Sequence, residues 1–174
     1  MRNLIAKEGI IYTVSMDNKQ RILFICTGNS CRSQMAEAFM NTLGSERFTA
    51  YSAGSNPSGY VHRFAIDTMR EMGIDISKKK SKSLNIYLHE SWDMVVTVCD
   101  DAKEACPFFP GGKRREHWGF EDPAEFEGTE EQKRAFFRKI ALEIERRVRL
   151  LLALNETKLT SADYEHSVKD IGNQ

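Results

Sequence analysis

The chain has no excess of charge of either sign. Lysine and arginine total 25, aspartate and glutamate total 25, and the formal net charge is zero. Without a global field there is no drive toward nucleic acid or an anionic membrane, so any anion must be held by a local site. The longest basic clusters, Lys78-Lys79-Lys80 and Lys113-Arg114-Arg115, are short and read as solvated loop or edge charges. A long apolar run is also missing, and no stretch is long enough to span a bilayer. The segment from Met1 to Glu8 has neither a signal-peptide apolar core nor a cleavage site, so a cytoplasmic address is expected. Metal-site spacing is absent too: the four cysteines include no C-x-x-C pair and the four histidines no pair at ligand spacing. Four cysteines in a reducing compartment do not suggest a disulfide framework. Packing, or redox and nucleophilic chemistry, is what remains for them. No internal repeat or low-complexity segment occurs.

What is present is a regular alternation of strand and helix signals within 174 residues, enough for one domain with a normal core. Arg21 to Ile25 reads as a buried strand, and Arg32 to Leu43 as a helix with Met35, Phe39 and Leu43 on one face and Gly44 as its stop. Phe48 to Ser52 reads as a second strand, Val61 to Met72 as a second helix closed by Gly73, and Leu84 to Leu88 as a short helix. Asp93 to Val98 is β-branched and bounded by polar residues, a strong strand signal. Cys99 to Ala105 reads as a helical turn or two, broken at Cys106-Pro107, and Arg114 to Trp118 as a last short strand. Thr129 to Leu154 is one long helix, with Phe136, Phe137, Ile140, Ile144, Val148 and Leu151 on its inner stripe and a capping-box spacing at Thr129 and Gln132. The expected architecture is α/β: a three-layer α/β/α domain around a central parallel four-stranded sheet, spanning 21–154. Residues 1–20 are expected to be a peripheral extension, with Ile10 to Val14 as a candidate edge strand. The polar segment 155–174 is expected to be a loosely held tail.

The chemistry concentrates between the first strand and the first helix, in Cys26-Thr-Gly-Asn-Ser-Cys-Arg32-Ser33. Ligands of parallel α/β sheets sit at the carboxyl ends of the strands, where this loop lies. A thiolate at Cys26 would face a helix N-terminus and the amides of Thr27, Gly28, Asn29, Ser30, Cys31 and Arg32. Gly28 lets the backbone turn with positive φ, and Asn29 tolerates the left-handed region while its amide ties the loop shut. The Arg32 guanidinium can grip two oxygens of a bound anion, and the Ser33 hydroxyl is placed to donate to the thiolate. Such a loop binds a tetrahedral oxyanion and attacks it; the bland alternative is an inert buried cysteine followed by an ordinary helix. A general acid should come from another loop, and Asp122-Pro123 fits, the proline stiffening its setting.

Cys99 and Cys106 are seven residues apart. On a continuous helix they would share a face roughly 10 Å apart, beyond the roughly 7 Å Cα limit of a disulfide. A bridge would need the segment between them to unwind, which suits a redox switch better than a permanent staple. Two small packed thiols is the competing reading.

Cys26 to Ser33, Val98-Cys-Asp-Asp-Ala-Lys-Glu-Ala-Cys-Pro107 and Glu116-His-Trp-Gly-Phe-Glu-Asp-Pro-Ala124 together resemble the thioredoxin-coupled arsenate reductases, which are built on the low-molecular-weight protein tyrosine phosphatase fold. The resemblance covers about residues 21–152 and implies a mechanism. Cys26 attacks arsenate while Arg32 and the loop amides hold its oxygens, and Asp122 protonates the departing oxygen. Cys99 then attacks Cys26, arsenite leaves, and Cys106 moves the disulfide to Cys99–Cys106 for reduction by thioredoxin. Cys31 is expected to be a packed thiol. No cofactor is required. Some members of the family bind potassium beside the loop, and the matching positions here are Asn29, Glu37, Ser52 and Asp75; a plain surface carboxylate is the competing reading of Glu37. A phosphatase acting on aryl phosphates needs only Cys26, Arg32, Ser33 and Asp122, but Ala124 stands after Pro123 where an aromatic residue would favour that activity. A non-catalytic oxyanion sensor or thioredoxin-binding module would not need Asp122.

Overall fold

The structure, a computed structural model, describes residues 3–7, 10–14, 19–99, 111–154 and 160–173. Strands β1 (Asn3–Lys7) and β2 (Ile10–Val14) pair antiparallel with each other as a separate two-stranded sheet. Ile10–Val14 is therefore a strand, but not an edge of the central sheet, and its partner β1 carried no signal in the sequence reading.

The central sheet holds β3 (Gln20–Cys26), β4 (Phe48–Gly54), β5 (Trp92–Thr97) and β6 (Gly112–His117), all parallel, in the order β4-β3-β5-β6. β3 is interior and covered on both faces, which is why Ile22-Leu-Phe-Ile25 is a continuous apolar run with every residue fully buried. β6 lies at an edge, and its Lys-Arg-Arg-Glu composition suits that position. It begins two residues earlier than Arg114, because Trp92 N–H bonds to Gly111 O and draws the chain into register there.

Helix α1 (Arg32–Leu43) packs on β3 and β4, with Arg32 to Met40 buried all round rather than along one face. Gly44 ends it, but without a left-handed φ; a Cβ there would lie 2.6 Å from Leu152 Cδ2, so the glycine permits close packing. Helix α2 (Arg63–Glu71) starts two residues later than Val61, because His62 is its N-cap, accepting from Phe64 N–H at 3.2 Å. Gly73 follows it at φ +80°. A 3₁₀ turn occupies Leu84–Tyr87. Helix α3 (Glu130–Ala153) opens with the expected capping box: Thr129 Oγ1 accepts from Gln132 N–H, and Gln132 Oε1 accepts from Thr129 N–H. Its buried stripe is Phe137, Ile140, Ala141, Ile144, Val148 and Leu151. Phe136 is only partly buried and stacks on Phe126, centroids 4.3 Å apart. With helices flanking the parallel sheet, the domain is the expected three-layer α/β architecture.

The expectation of a loose tail after Asn155 does not hold for its described part. Helix α4 (Ser161–Gly172) packs on β6 and buries Tyr164, Val168 and Ile171. The i, i+4, i+7 spacing of those three apolar residues was a helical signal hidden in a polar composition. Among the described residues no helix is long and apolar enough to cross a membrane.

Candidate active site

Three chain segments meet at the carboxyl end of the sheet: the loop after β3, the residues after β5 and the loop after β6. The first begins where Cys26 ends β3, nearly fully buried. Its sulfur lies 2.9 Å from Ser33 Oγ and receives the Asn29 backbone N–H at 3.0 Å. Burial pushes the Cys26 thiol up from its ordinary range; the hydrogen bond with Ser33 is the largest influence pulling it back, and Arg32 adds its positive charge. Helix α1 has no side-chain cap at Cys31, so the amides of its first turn stay available to an anion.

Asn29, not Gly28, takes the left-handed conformation, at φ +47°. Its side chain supports that strained setting through four contacts. Nδ2 donates to Ser33 Oγ at 2.8 Å and Ser52 Oγ at 2.9 Å, while Oδ1 accepts from Gln34 Nε2 at 2.9 Å and Lys82 N–H at 2.7 Å. Gly28 instead leaves room beside Ser30 and Ser58, and its carbonyl accepts from Ser58 N–H and Ser81 Oγ. Gly54 is required at the end of β4, since a Cβ there would come within 2.5 Å of Thr27 O. Gln34 and Ser81 were missed in the sequence, because polar residues in a helix or basic loop carry no signal of the loop they brace.

Arg32 is buried, and its guanidinium donates to Phe120 O at 2.9 Å and forms an ion pair with Asp122. Asp122 also accepts Ala124 N–H at 2.9 Å, a turn that Pro123 stiffens. The loop carrying it is anchored by fully buried Trp118, which packs on Phe24, and by Arg147, which donates to Gly119 O and covers the Phe120 ring. Cys99 is buried, with its sulfur 3.5 Å from Thr27 Oγ1. Arg32, Cys99, Gly119, Phe120, Glu121, Asp122 and Glu125 line one open cleft of about 440 Å³. The structure thus brings Cys26, Arg32, Ser33, Asp122 and Cys99 together, with Thr27 to Cys31 forming the loop. Cys31 is buried, and burial drives its thiol up to about 12. Cys106, and the helical turn expected from Asp100 to Ala105, lie outside the described residues.

Asn29, Glu37 and Ser52 also converge, behind the loop. Asp75 does not join them: it is exposed and accepts the Ser77 N–H at 2.8 Å. Glu37 is not a surface carboxylate, being only 8% exposed and bonded to Ser52 Oγ at 2.5 Å. Lys79 Nζ pairs with one of its oxygens and Lys82 Nζ lies 3.4 Å from the other. Two ammonium groups already sit on this carboxylate, so the residues do not form an open oxygen cage for a further cation. No group of three or more metal-ligating side chains was found among the described residues.

A buried cysteine on a strand-loop-helix turn, an arginine opening the helix and an aspartate on the far loop define a cysteine-dependent oxyanion-handling enzyme fold. The chain matches the low molecular weight phosphotyrosine protein phosphatase family over residues 21–162 and belongs to that family. It is 46% identical over 132 residues to an arsenate reductase of Halalkalibacterium halodurans, covering 76% of this chain and 94% of that one. A solved arsenate reductase in its phosphate-binding state matches with a TM-score of 0.66 at 34% identity, covering 77% of this chain and 97% of the other. A thioredoxin-dependent arsenate reductase of Corynebacterium glutamicum matches with a TM-score of 0.58 at 29% identity, covering 78% of this chain and 61% of that one.

Proposed function

We propose that this protein reduces arsenate to arsenite through a relay of Cys26, Cys99 and Cys106, recharged by thioredoxin. The Cys26 thiolate attacks arsenic and forms a sulfur–arsenic bond, while one oxygen departs as water with a proton from Asp122. Arg32 and the loop amides hold the remaining oxygens. The Cys99 thiolate then attacks the Cys26 sulfur. The sulfur–arsenic electron pair stays on arsenic, As(V) becomes As(III), arsenite leaves, and a Cys26–Cys99 disulfide remains. Cys106 attacks Cys99 and frees Cys26, and an external dithiol takes the Cys99–Cys106 disulfide back to two thiols. A reducing cytosol would supply that dithiol.

The observation that carries this reading is the Cys99 thiol beside Thr27 in the same cleft as Arg32 and Asp122. A hydrolase has no use for a second thiol at that place. The arsenate reductases among the relatives support the same choice. The test is arsenate-dependent NADPH oxidation with thioredoxin and thioredoxin reductase, comparing wild type with Cys106→Ser. Sustained turnover in the wild type and arrest after about one equivalent in the variant is expected from the exchange chemistry.

The family match favours one second reading, hydrolysis of aryl phosphates through a cysteinyl-phosphate at Cys26. Hydrolysis of an aryl phosphate by both proteins, with no NADPH consumed by either, would establish it in place of arsenate reduction.

A further inference from the structure

The anion loop is braced from behind by a continuous polar chain that ends in two lysines. Glu37 on α1 is the pivot. A carboxylate this deeply placed needs positive charge close by to offset its lost hydration. Lys79 and Lys82 supply it, both about three-quarters buried at 25% and 26% side-chain exposure. Lys82 Nζ also lies 3.4 Å from Ser52 Oγ, which donates to Glu37 and accepts from Asn29 Nδ2. The same Lys82 holds Asn29 a second way, through its backbone N–H on Oδ1. Asn29 in turn meets Cys26 directly through its N–H and indirectly through Ser33. A cation here therefore acts on the nucleophile at two removes, by fixing the one residue of the loop with left-handed backbone.

We propose that the ammonium groups of Lys79 and Lys82 take the place of a bound monovalent cation behind the anion loop, so that this chain carries its own tethered cation. An ammonium has the single charge of an alkali ion, and it donates to the carboxylate and hydroxyl oxygens that an alkali ion would coordinate. A potassium ion entering the same space would face two like charges at contact range around one carboxylate. Lys79 and Lys82 are positioning residues: Lys79 touches Glu37, Lys82 touches Glu37 and Ser52, and through these they set Asn29 and the Cys26 thiol.

The experiment compares wild type with Lys79→Met/Lys82→Met in potassium chloride and in choline chloride at equal ionic strength. It reads the melting temperature and, by mass spectrometry, the rate at which iodoacetamide alkylates Cys26. Neither readout requires arsenate, so failure here leaves the assignment of the reaction untouched. The wild type should behave the same in both salts. The variant should melt about 5–10 °C lower in choline, from the uncompensated buried charge. It should alkylate more slowly at Cys26, and it should recover on both counts in potassium. Lys82→Arg, which keeps the charge, should stay indifferent to the salt. If the double variant does not fold, Lys82→Met alone should show the same potassium-dependent recovery. A wild type that potassium stabilises over choline, or a folded variant that behaves identically in the two salts, would overturn the proposal.

Discussion

Arg32 and Asp122, 90 residues apart in the chain, form an ion pair across the mouth of the cleft. The same guanidinium that the anion loop offers to an oxyanion is thus held by the carboxylate of the facing loop. In the proposed reaction, an arriving anion would draw Arg32 from Asp122 and so free that carboxylate to face the anion's own oxygens. Binding and acid catalysis would then be coupled through one pair of side chains.

Asp122→Asn removes both the proton donor and the competitor for Arg32. Turnover should fall by about 10²-fold or more, the usual contribution of a positioned general acid. The KM for the oxyanion should stay level or drop, because Arg32 no longer leaves a charged partner. Steady-state kinetics separate the two effects, and a rise in KM with kcat unchanged would contradict the assignment.

Ser33→Ala addresses the thiol. Burial raises Cys26, and the Ser33 hydrogen bond is the largest influence opposing it. Removing that bond raises the thiol further, so the thiolate forms only at higher pH. The pH profile of Cys26 alkylation by iodoacetamide should shift upward and the rate at neutral pH should fall. Ser33→Thr, which keeps the hydroxyl, should stay near wild type.

Thr129→Ala removes the hydroxyl half of the capping box on α3, the bond from Gln132 N–H, and keeps the bond from the backbone N–H of residue 129 to Gln132 Oε1. The expected loss is about 1 kcal/mol, within the range for such caps. Urea denaturation should show a lower midpoint with an unchanged slope. Activity below the transition should persist, since the cap does not touch the cleft.

Gly172→Ala tests whether α4 belongs to the folded domain. A Cβ at this position would lie 2.4 Å from His117 O on β6, a backbone atom that cannot step aside. A destabilisation of about 1–3 kcal/mol is expected from such overpacking. A variant as stable as wild type in thermal melts would show that α4 does not hold to the sheet.

Much of this protein was legible in one dimension because its signals are local. The apolar run Ile22 to Ile25 demands burial on both faces, the Thr129–Gln132 spacing demands a cap, and each appears where periodicity put it. Cys26, Arg32 and Ser33 lie on one turn of chain, so their meeting follows from a strand running into a helix. Other features escaped because their cause is not local. Gly28 and Asn29 were both candidates for positive φ, and only the tertiary contacts of Asn29 with Ser52, Gln34 and Lys82 decide that Asn29 takes it. Glu37 looked like a surface carboxylate because one sequence cannot show that Lys79 and Lys82 will close over it.

By itself, then, the sequence determined the succession of strands and helices and the chemistry of the anion loop, because hydrogen bonding and hydrophobic period act over a few residues. Only the tertiary structure decided the partners of the buried charges and the seat of α4. Desolvation makes a buried charge find an opposite one wherever the fold brings it, and no spacing along the chain records that distance.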